Sequence, residues 1–428
     1  MNPTISRRGL LQLAGLGAGT AALAACAPSA PGPSTGGGAA TTGGAPTNFR
    51  LASWTLADDI SKIGVQNLMK SFEASTKVTI TPTAIAYNEY LNQLILQVRG
   101  GQFTGAVQLD IAWLSQIAAL GKLRDLAYKA KDAGYTDAAL KTGQLEGKQY
   151  GLPWTTGAIG LIVNQKILDQ VGAKEVPASI DQFEALLVEL KGKGVVPYAA
   201  STKVAQLKDI IVWMQTFGSP IVENGKVVIG DDASVEAVNW YKKLYDQKLI
   251  APDVERADAR ALFAQGKTAM YDDAIVGKDV VAKQATDKTL KDSIAPAARP
   301  VTKTGDKPQA VAWGHIAVVV DGEGADTASD FAKFATSDKA AVLGYFKDVS
   351  LPPTTTEALA DPAVTSDKFT TAFTEKITKT ATPSPLWPFP QYGQMESIIS
   401  KSVQSVLVGQ ASAKDALTKA REDIAKLG

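Results

Sequence analysis

The sequence predicts an α/β fold divided into two lobes. Strand-like and helix-like patterns alternate along most of the 428-residue chain, as in a sheet covered by helices. About 380 residues follow an N-terminal segment of different character, more than the roughly 250–300 at which a single hydrophobic core stops growing. The sequence shows no repeat with a period of about 20–50 residues, which argues against a solenoid or a propeller.

The N-terminal segment predicts export from the cytoplasm. Arg7 and Arg8 precede a weakly hydrophobic run over residues 9–25, which is typical of a signal read by an export receptor. The run is 17 residues long, at the short limit of the roughly 17–25 that a membrane-spanning helix needs. We therefore interpret residues 1–25 as a signal peptide and leave residues 1–47 out of the fold prediction.

A lipid anchor is predicted at the end of this signal peptide. Residues 23–26 (LAAC) resemble a lipoprotein cleavage box, in which the thiol of Cys26 is acylated and the cysteine becomes the first residue. Cys26 is the only cysteine, so an internal disulfide is excluded. Residues 26–47 carry no charge and are rich in small residues, which indicates a flexible tether to the outer face of the cytoplasmic membrane. The alternative is an ordinary N-terminal membrane anchor with a chance cysteine.

Composition and charge describe an ordinary globular protein. Hydrophobic residues make up 45% of the chain and charged residues 20%. Without Arg7 and Arg8, the 44 basic residues become 42, against 43 acidic residues. This balance argues against a nucleic-acid partner, which needs a basic face, and equally against a strongly anionic or polycationic target.

Local patterns predict the elements of the first half of the chain. Alternation or short buried runs predict strands, and apolar residues at helical spacing predict helices, as for Tyr90, Leu94 and Val98. Ser179 is expected to cap the last of these helices. The predicted strands are 49–54, 78–83, 110–114 and 161–163. The predicted helices are 65–75, 87–100, 117–126 and 180–191.

The second half is predicted to be mainly helical around one buried strand. Residues 316–320 (IAVVV) are the strongest buried-strand signal in the chain. Further helices are predicted at 207–217, 235–247, 257–265, 327–336, 394–407 and 413–427.

Short segments spread over nearly the whole chain after the tether form an ordered set. They are 110–111 (DI) with 121–126 (GKLRDL), 147–153 (GKQYGLP), 161–166 (LIVNQK), 177–183 (PASIDQF), 263–270 (FAQGKTAM) and 410–417 (QASAKDAL). In this order, behind a lipoprotein leader, they resemble the extracellular solute-binding proteins of ABC importers, the sugar-binding family that includes maltose-binding protein. The sequence departs from that family after Met270, where Asp272 and Asp273 stand in place of a glycine and a sugar-stacking aromatic residue.

The resemblance implies a two-lobe periplasmic-binding-protein-like fold of type II, with a ligand cleft between the lobes. The N-terminal lobe would comprise 48–156 plus 307–350, and the C-terminal lobe 157–306 plus 351–428. Ligand binding would close the lobes about strand crossings and signal the permease subunits of the importer. The crossings are expected near 155–156, 307 and 351. We expect a monomer that needs no cofactor and no metal.

Members of this family bind sugars with flat aromatic faces and with acids or amides that meet hydroxyl groups. The loop at 387–392 (WPFPQY) is a clear candidate for cleft lining, because its prolines disfavour regular structure. The candidate ligand-binding residues are Trp54, Asn88, Trp113, Gln116, Trp154, Asp272, Asp273, Trp313, Gly314, His315, Trp387 and Tyr392.

Each candidate also has a purely structural interpretation. A tryptophan can pack in the core, Asp272 and Asp273 can form a solvated turn, and His315 can be a structural histidine. Asp110 is expected to cap the end of a strand rather than to contact ligand. Tyr87 is a further plausible polar contact.

Enzyme sites are disfavoured by the residues that catalysis would need. With His315 as the only histidine and Cys26 assigned to the lipid box, a cysteine protease and an ordinary zinc site are excluded. Residues 266–268 (GKT) resemble the end of a phosphate loop, but the glycine required five residues earlier is Ala261.

We therefore predict a receptor that captures a carbohydrate, from a mono- to a trisaccharide, and delivers it to a permease. One alternative is a receptor for a non-sugar solute: a polyol, a glycerophosphodiester or an amine, the last favoured by Asp272 and Asp273. The other is a surface enzyme acting on glycans.

Overall fold

The computed structural model describes residues 47–59 and 61–427. The predicted signal peptide, the lipidation site Cys26 and all of the predicted tether except Thr47 lie outside the described residues. Among the helices of residues 47–59 and 61–427, none is both long and apolar enough to cross a membrane.

The strands predicted at 49–54, 78–83, 161–163 and 316–320 are confirmed, whereas several strands of the sheet, such as Val196–Ala199 and Ile294–Ala297, were not predicted. They are β1 (Phe49–Ser53), β2 (Ile80–Ala84), β3 (Gly105–Asp110), β4 (Gln144–Leu145), β5 (Lys148–Gln149), β6 (Gly151–Asn164), β7 (Val196–Ala199), β8 (Val222–Glu223), β9 (Lys226–Val227), β10 (Thr268–Ala274), β11 (Ile294–Ala297), β12 (Ala310–Val320) and β13 (Ala381–Thr382).

The helices alternate with the strands along the chain. They are α1 (Lys62–Thr76), α2 (Tyr87–Arg99), α3 (Leu114–Ala118), α4 (Ala127–Ala130), α5 (Asp137–Thr142), α6 (Gln165–Leu168), α7 (Ile180–Lys191), α8 (Ile210–Thr216), α9 (Asp232–Asp246), α10 (Arg256–Ala264), α11 (Gly277–Gln284), α12 (Ala325–Ser337), α13 (Lys339–Val349), α14 (Thr356–Leu359), α15 (Pro362–Thr365), α16 (Lys368–Lys376), α17 (Tyr392–Leu407) and α18 (Ala413–Ala425).

One mixed sheet runs through the centre of the protein, in the order β2-β1-β3-β12-β6-β10-β7. The strands β2, β1 and β3 are parallel, whereas β12 is antiparallel to both β3 and β6. The long strand β6 pairs with β12 through its first part and with β10 and β11 through its second part. These two long strands therefore connect the two ends of the sheet.

Three hydrophobic clusters cover the sheet. One packs α1, α12 and α13 on its first strands and extends to Phe373 of α16. A second joins α7, α8, α9, α17 and α18. The third places Tyr90, Leu94 and Val98 of α2 against β12, as their helical spacing predicted.

The helix predicted at 180–191 is confirmed at both ends. The Ser179 hydroxyl accepts a hydrogen bond from the backbone N–H of Gln182 (3.4 Å), which satisfies one of the free N–H groups of the first turn.

The strand predicted at 110–114 and the helix predicted at 117–126 are wrong. The strand β3 ends at Asp110, whose carboxylate accepts a hydrogen bond from Ala112 N (3.0 Å) and caps a 3-10 turn over Ile111–Trp113. The following α3 is only five residues long. The apolar run was mistaken for a strand because a side-chain cap that bends the backbone leaves no periodic signal.

The helix α13 was not predicted. Its buried residues Val342, Tyr345, Phe346 and Val349 follow the spacing of one helical face, so the signal was present in the sequence.

Candidate functional site

Two adjoining cavities form one cleft in the structure. The first has a volume of about 390 Å³ and the second about 230 Å³. Both fall near the size of small-molecule pockets. Six residues line both cavities, and they show that the two are continuous: Tyr87, Asn88, Ile159, Gln206, Arg256 and Trp313.

Six of the seven described ring-bearing residues that line the cleft, all except Tyr345, come from distant parts of the sequence, and we call these six the aromatic set. The set comprises Trp54, Tyr87, Trp113, Trp313, His315 and Trp387. They lie after β1, at the start of α2, after β3, on β12 and in the loop before α17. The order of strands in the sheet, with β1, β3 and β12 adjacent, brings these positions together.

Five of the six rings of the aromatic set, all except Trp387, contact one another. Trp54 contacts Tyr87, Trp113 and His315 edge to face, at centroid distances of 5.6, 5.5 and 4.8 Å. Tyr87 lies 4.9 Å from Trp113 and remains 46% exposed. Its ring therefore has area available to a ligand, in an arrangement that aromatic quadrupoles favour.

Asp110 is buried beneath the aromatic set and bonds to Tyr87. Its two carboxylate oxygens accept hydrogen bonds from Ala112 N and from the hydroxyl of Tyr87 (both 3.0 Å). Burial raises the pKa of Asp110, while these bonds lower it. The predicted capping role of Asp110 is confirmed, and the second bond orients Tyr87.

Four cationic side chains line the rest of the cleft, each paired with a carboxylate, and we call these four pairs the ion-paired set. The pairs are Lys208 with Glu396 (3.3 Å), Arg256 with Asp209 (2.8 Å), Arg260 with Asp273 (2.6 Å) and Arg299 with Asp272. Within the described part of the chain, every cationic side chain that lines the cleft thus has a carboxylate partner. Within each pair the two charges balance, so none of these cations is free to meet a charged ligand.

The carboxylates of Asp272 and Asp273 are both occupied by protein groups. Asp272 is buried and accepts hydrogen bonds from Arg299 and the Tyr198 hydroxyl, and it does not line either cavity. Burial raises the pKa of Asp272, and Arg299 opposes that rise. Asp273 lines the first cavity, but Arg260 donates to both of its oxygens (2.6 and 2.8 Å). The interpretation of the two residues as a solvated turn is wrong, because both are buried within β10.

Seven of the predicted residues line the cleft and five do not. The residues in the cleft are Trp54, Asn88, Trp113, Asp273, Trp313, His315 and Trp387. The residues outside it are Gln116, Trp154, Asp272, Gly314 and Tyr392.

Three of the residues outside the cleft pack within the protein. Trp154 is buried against Tyr345 at a ring distance of 5.6 Å, and Tyr392 is buried at the start of α17. Gly314 packs so closely on Thr155 that an added Cβ would lie 2.4 Å from the carbonyl oxygen.

Sequence reasoning did not find Gln206, Lys208, Asp209, Arg256 and Arg260, which all line the cleft. For the last two a signal existed: they lie four residues apart, at or just before the predicted helix 257–265, and so share one of its faces.

The side chains present do not form a metal site. Among residues 47–59 and 61–427, no group of three or more His, Cys, Asp or Glu side chains is placed to hold a metal ion.

Curated relatives resemble part of the chain. A binding protein of Brucella abortus is 24% identical over 229 residues, which are 50% of this chain and 56% of that protein. The chain thus matches little more than half the length of that relative. The diacetylchitobiose binding protein DasA of Streptomyces coelicolor is 25% identical over 305 residues, 68% of this chain and 69% of DasA.

A solved structure establishes the fold. The GacH receptor of Streptomyces glaucescens, solved unliganded and in complex with acarbose, superposes with a TM-score of 0.80 at 21% identity. The match covers 89% of this chain and 98% of the receptor. The predicted two-lobe α/β fold of the periplasmic-binding-protein type is therefore confirmed.

A family model described as bacterial extracellular solute-binding protein matches residues 67–371. Proteins of this description bind solutes outside the cytoplasm, which agrees with the predictions of an extracytoplasmic location and of a binding protein rather than an enzyme. Because the match covers well over half of the sequence, the chain belongs to the bacterial extracellular solute-binding protein family.

Proposed function

We propose that this protein is the substrate-binding component of an ABC importer and captures a neutral carbohydrate, from a mono- to a trisaccharide, in the cleft. The observation that carries the proposal is the meeting of the aromatic set and the ion-paired set around two continuous cavities. Sugars have apolar ring faces and polar edges, and the cleft offers a matching surface to each.

The aromatic set supports a ligand with flat apolar faces. Trp313 lines both cavities, while Trp54 lines the first and Trp113 and Trp387 line the second. A ligand with two or three rings would therefore meet an indole in each cavity. The relative named for diacetylchitobiose binding is consistent with a saccharide of this size.

The ion-paired set supports a neutral ligand. A charged ligand would have to compete with ion pairs that are already formed, and separating a buried pair is costly. Three more acids line the cleft, Asp58, Asp110 and Glu255. Asp110 accepts from the Tyr87 hydroxyl, and Glu255 belongs to the capping box of α10. The amine alternative depended on Asp272 and Asp273, and their pairing with arginines removes its basis.

Delivery to a permease requires two lobes that close on the ligand. We propose the lobes 48–156 plus 307–350 and 157–306 plus 351–428. Contacts at the proposed crossings support these boundaries, since Thr156 N donates to the carbonyl oxygen of Pro352 (3.1 Å). The ligand must contact both lobes to favour the closed state.

The membrane attachment is a further part of the proposal. A signal peptide over 1–25, a lipid on Cys26 and a tether over 26–47 would hold a monomer at the outer face of the cytoplasmic membrane, beside the permease subunits.

A thermal-shift screen of residues 48–428 tests the ligand class. Panels of sugars, polyols, amines, amino acids and glycerophosphodiesters are compared, because a ligand at about 100 times its Kd stabilises the folded state by about 2.7 kcal/mol. We expect a rise in Tm with a sugar class alone. A rise with an amine or a phosphodiester and with no sugar would refute the carbohydrate proposal. A glycan-acting enzyme would instead form product from the sugar panel.

A further inference from the structure

The only histidine of the chain occupies an irregular position on a central strand. His315 lies on β12 opposite Asp110 of β3, and the pairing of β12 with β6 shifts register between His315 and Ile316. Its backbone N–H donates to the Thr155 hydroxyl (3.1 Å). Such irregularities redirect a side chain and are frequent beside functional sites.

The hydrogen bonds of the Gln108 side chain favour one tautomer of His315. In the structure the Ser53 hydroxyl donates to Oε1 of Gln108, and Nε2 of Gln108 faces Nδ1 of His315, at 3.0 Å. In this orientation of the amide, its nitrogen donates and Nδ1 accepts. The proton of the neutral imidazole then lies on Nε2. The hydroxyl of Tyr90 donates to the backbone carbonyl oxygen of Gln108 (2.8 Å) and further restrains that residue.

The protonated nitrogen has no acceptor among the described residues. Among residues 47–59 and 61–427, no atom forms a hydrogen bond with His315 Nε2, although the side chain is buried. His315 lines the first cavity, and its ring meets Trp54 and Trp313 edge to face, each at 4.8 Å. Buried donors without a partner are rare in native proteins, and each needs an explanation.

We propose that the Nε2–H of His315 donates a hydrogen bond to an oxygen atom of the ligand, which seats between Trp54 and Trp313. This inference rests on the proposed function and names the atom that the site recognises there, namely a hydroxyl, ring or carbonyl oxygen. An ammonium group has no lone pair to accept this bond, so the site discriminates against amines. Burial holds the pKa of His315 down to about 3, which keeps the ring neutral near pH 7.

Because the chain contains one histidine, ¹⁵N-histidine labelling reports on His315 alone, provided that the purification tag contains none. Long-range ¹H–¹⁵N spectra of the free protein should show a protonated Nε2 and an unprotonated Nδ1 near pH 7. Diacetylchitobiose, used as the probe, should shift the Nε2 resonance when it binds. A proton on Nδ1 in the free protein would overturn the inference, as would binding of the probe without a shift at Nε2. If the probe and every other saccharide fail to bind, the proposed function fails, and the ligand contact fails with it.

Three variants give an independent test. His315→Phe keeps a ring but removes the donor, and we expect at least a tenfold loss of affinity for a bound saccharide. His315→Gln keeps an N–H donor and should retain more affinity than His315→Phe. Tyr90→Phe is the matched control, since it removes a neighbouring buried hydroxyl but leaves the bonds of Gln108 to Ser53 and His315 intact. Equal affinities of His315→Phe and the wild type would contradict the proposal. If His315→Phe does not fold, the His315→Gln affinity and the labelling experiment still decide it.

Discussion

The aromatic set and the ion-paired set line the same cleft but are held by different forces. The aromatic rings contact one another at centroid distances near 5 Å. Each contact contributes little free energy, and both edge-to-face and offset arrangements are favourable. The ion pairs are directional, and a pair such as Arg299 with Asp272 cannot lose one member without leaving a buried charge. The rings therefore present apolar surface to a ligand, while the ion pairs fix the charged side chains in place and balance their charges.

Removing one member of the ion-paired set should cause the greatest loss of stability. Arg299→Met should destabilise the protein by about 3–5 kcal/mol, because Asp272 remains buried without its cation. Arg299 also donates to the carbonyl oxygens of Ile159 and Gln309 (3.1 and 3.2 Å). Urea unfolding measures the loss. The control is Lys379→Ala, which removes an exposed pair with Glu375 and should cost about 0–1 kcal/mol. Similar losses in both variants would show that the buried pair has no special role.

The next effect concerns the one histidine of the aromatic set. Burial lowers the pKa of His315 to about 3 from an ordinary 6.5, so between these values the unfolded chain binds a proton that the folded chain does not. Stability must then fall as the pH decreases. From pH 6.5 to about pH 5 we expect a loss of about 2 kcal/mol in urea unfolding. The slope should be smaller in His315→Gln, and an identical slope would assign it to other groups.

Removing an aromatic face should weaken binding more than it weakens folding. Trp313→Ala should lower the affinity for a bound saccharide about tenfold or more, equivalent to about 1.4 kcal/mol per factor of ten, because Trp313 lines both cavities. Trp387→Ala should cost severalfold, since Trp387 lines only the second. Calorimetric titration measures both. Tyr128→Ala, at an exposed ring on α4, is the control. Unchanged affinity in Trp387→Ala would remove Trp387 from the site.

We expect salt to have almost no effect on the affinity for a sugar. Because the proposed ligand is neutral, raising the ionic strength from about 0.01 to 1 M, which shortens the Debye length from about 30 to 3 Å, should change sugar affinity by less than about twofold. Titrations at both salt concentrations measure this. A steep fall in affinity with salt would indicate a charged ligand and contradict the neutral-ligand proposal.

Much of the fold could be predicted because its signals are local. The helix α7 has its cap residue, its apolar face and its end within a dozen neighbouring positions, and the prediction matched both ends. The segment after β3 could not be predicted in the same way, because the Asp110 carboxylate bends the backbone by bonding two residues ahead. Local propensity thus determined elements such as α7, whereas side-chain capping decided the segment after β3.

The candidate site was predictable only in part. Trp113 and Trp154 were both candidates, yet Trp154 is buried in the core whereas Trp113 lines the cleft.

The sequence by itself determined the alternation of elements, the family resemblance and the supply of aromatic residues, because periodicity, caps and motifs act over a few neighbouring positions. Only the tertiary structure decided which aromatic residues meet at the cleft and that Arg299 pairs with Asp272. These contacts join residues far apart in the chain, and their free energy depends on burial, which the order of strands in the sheet sets.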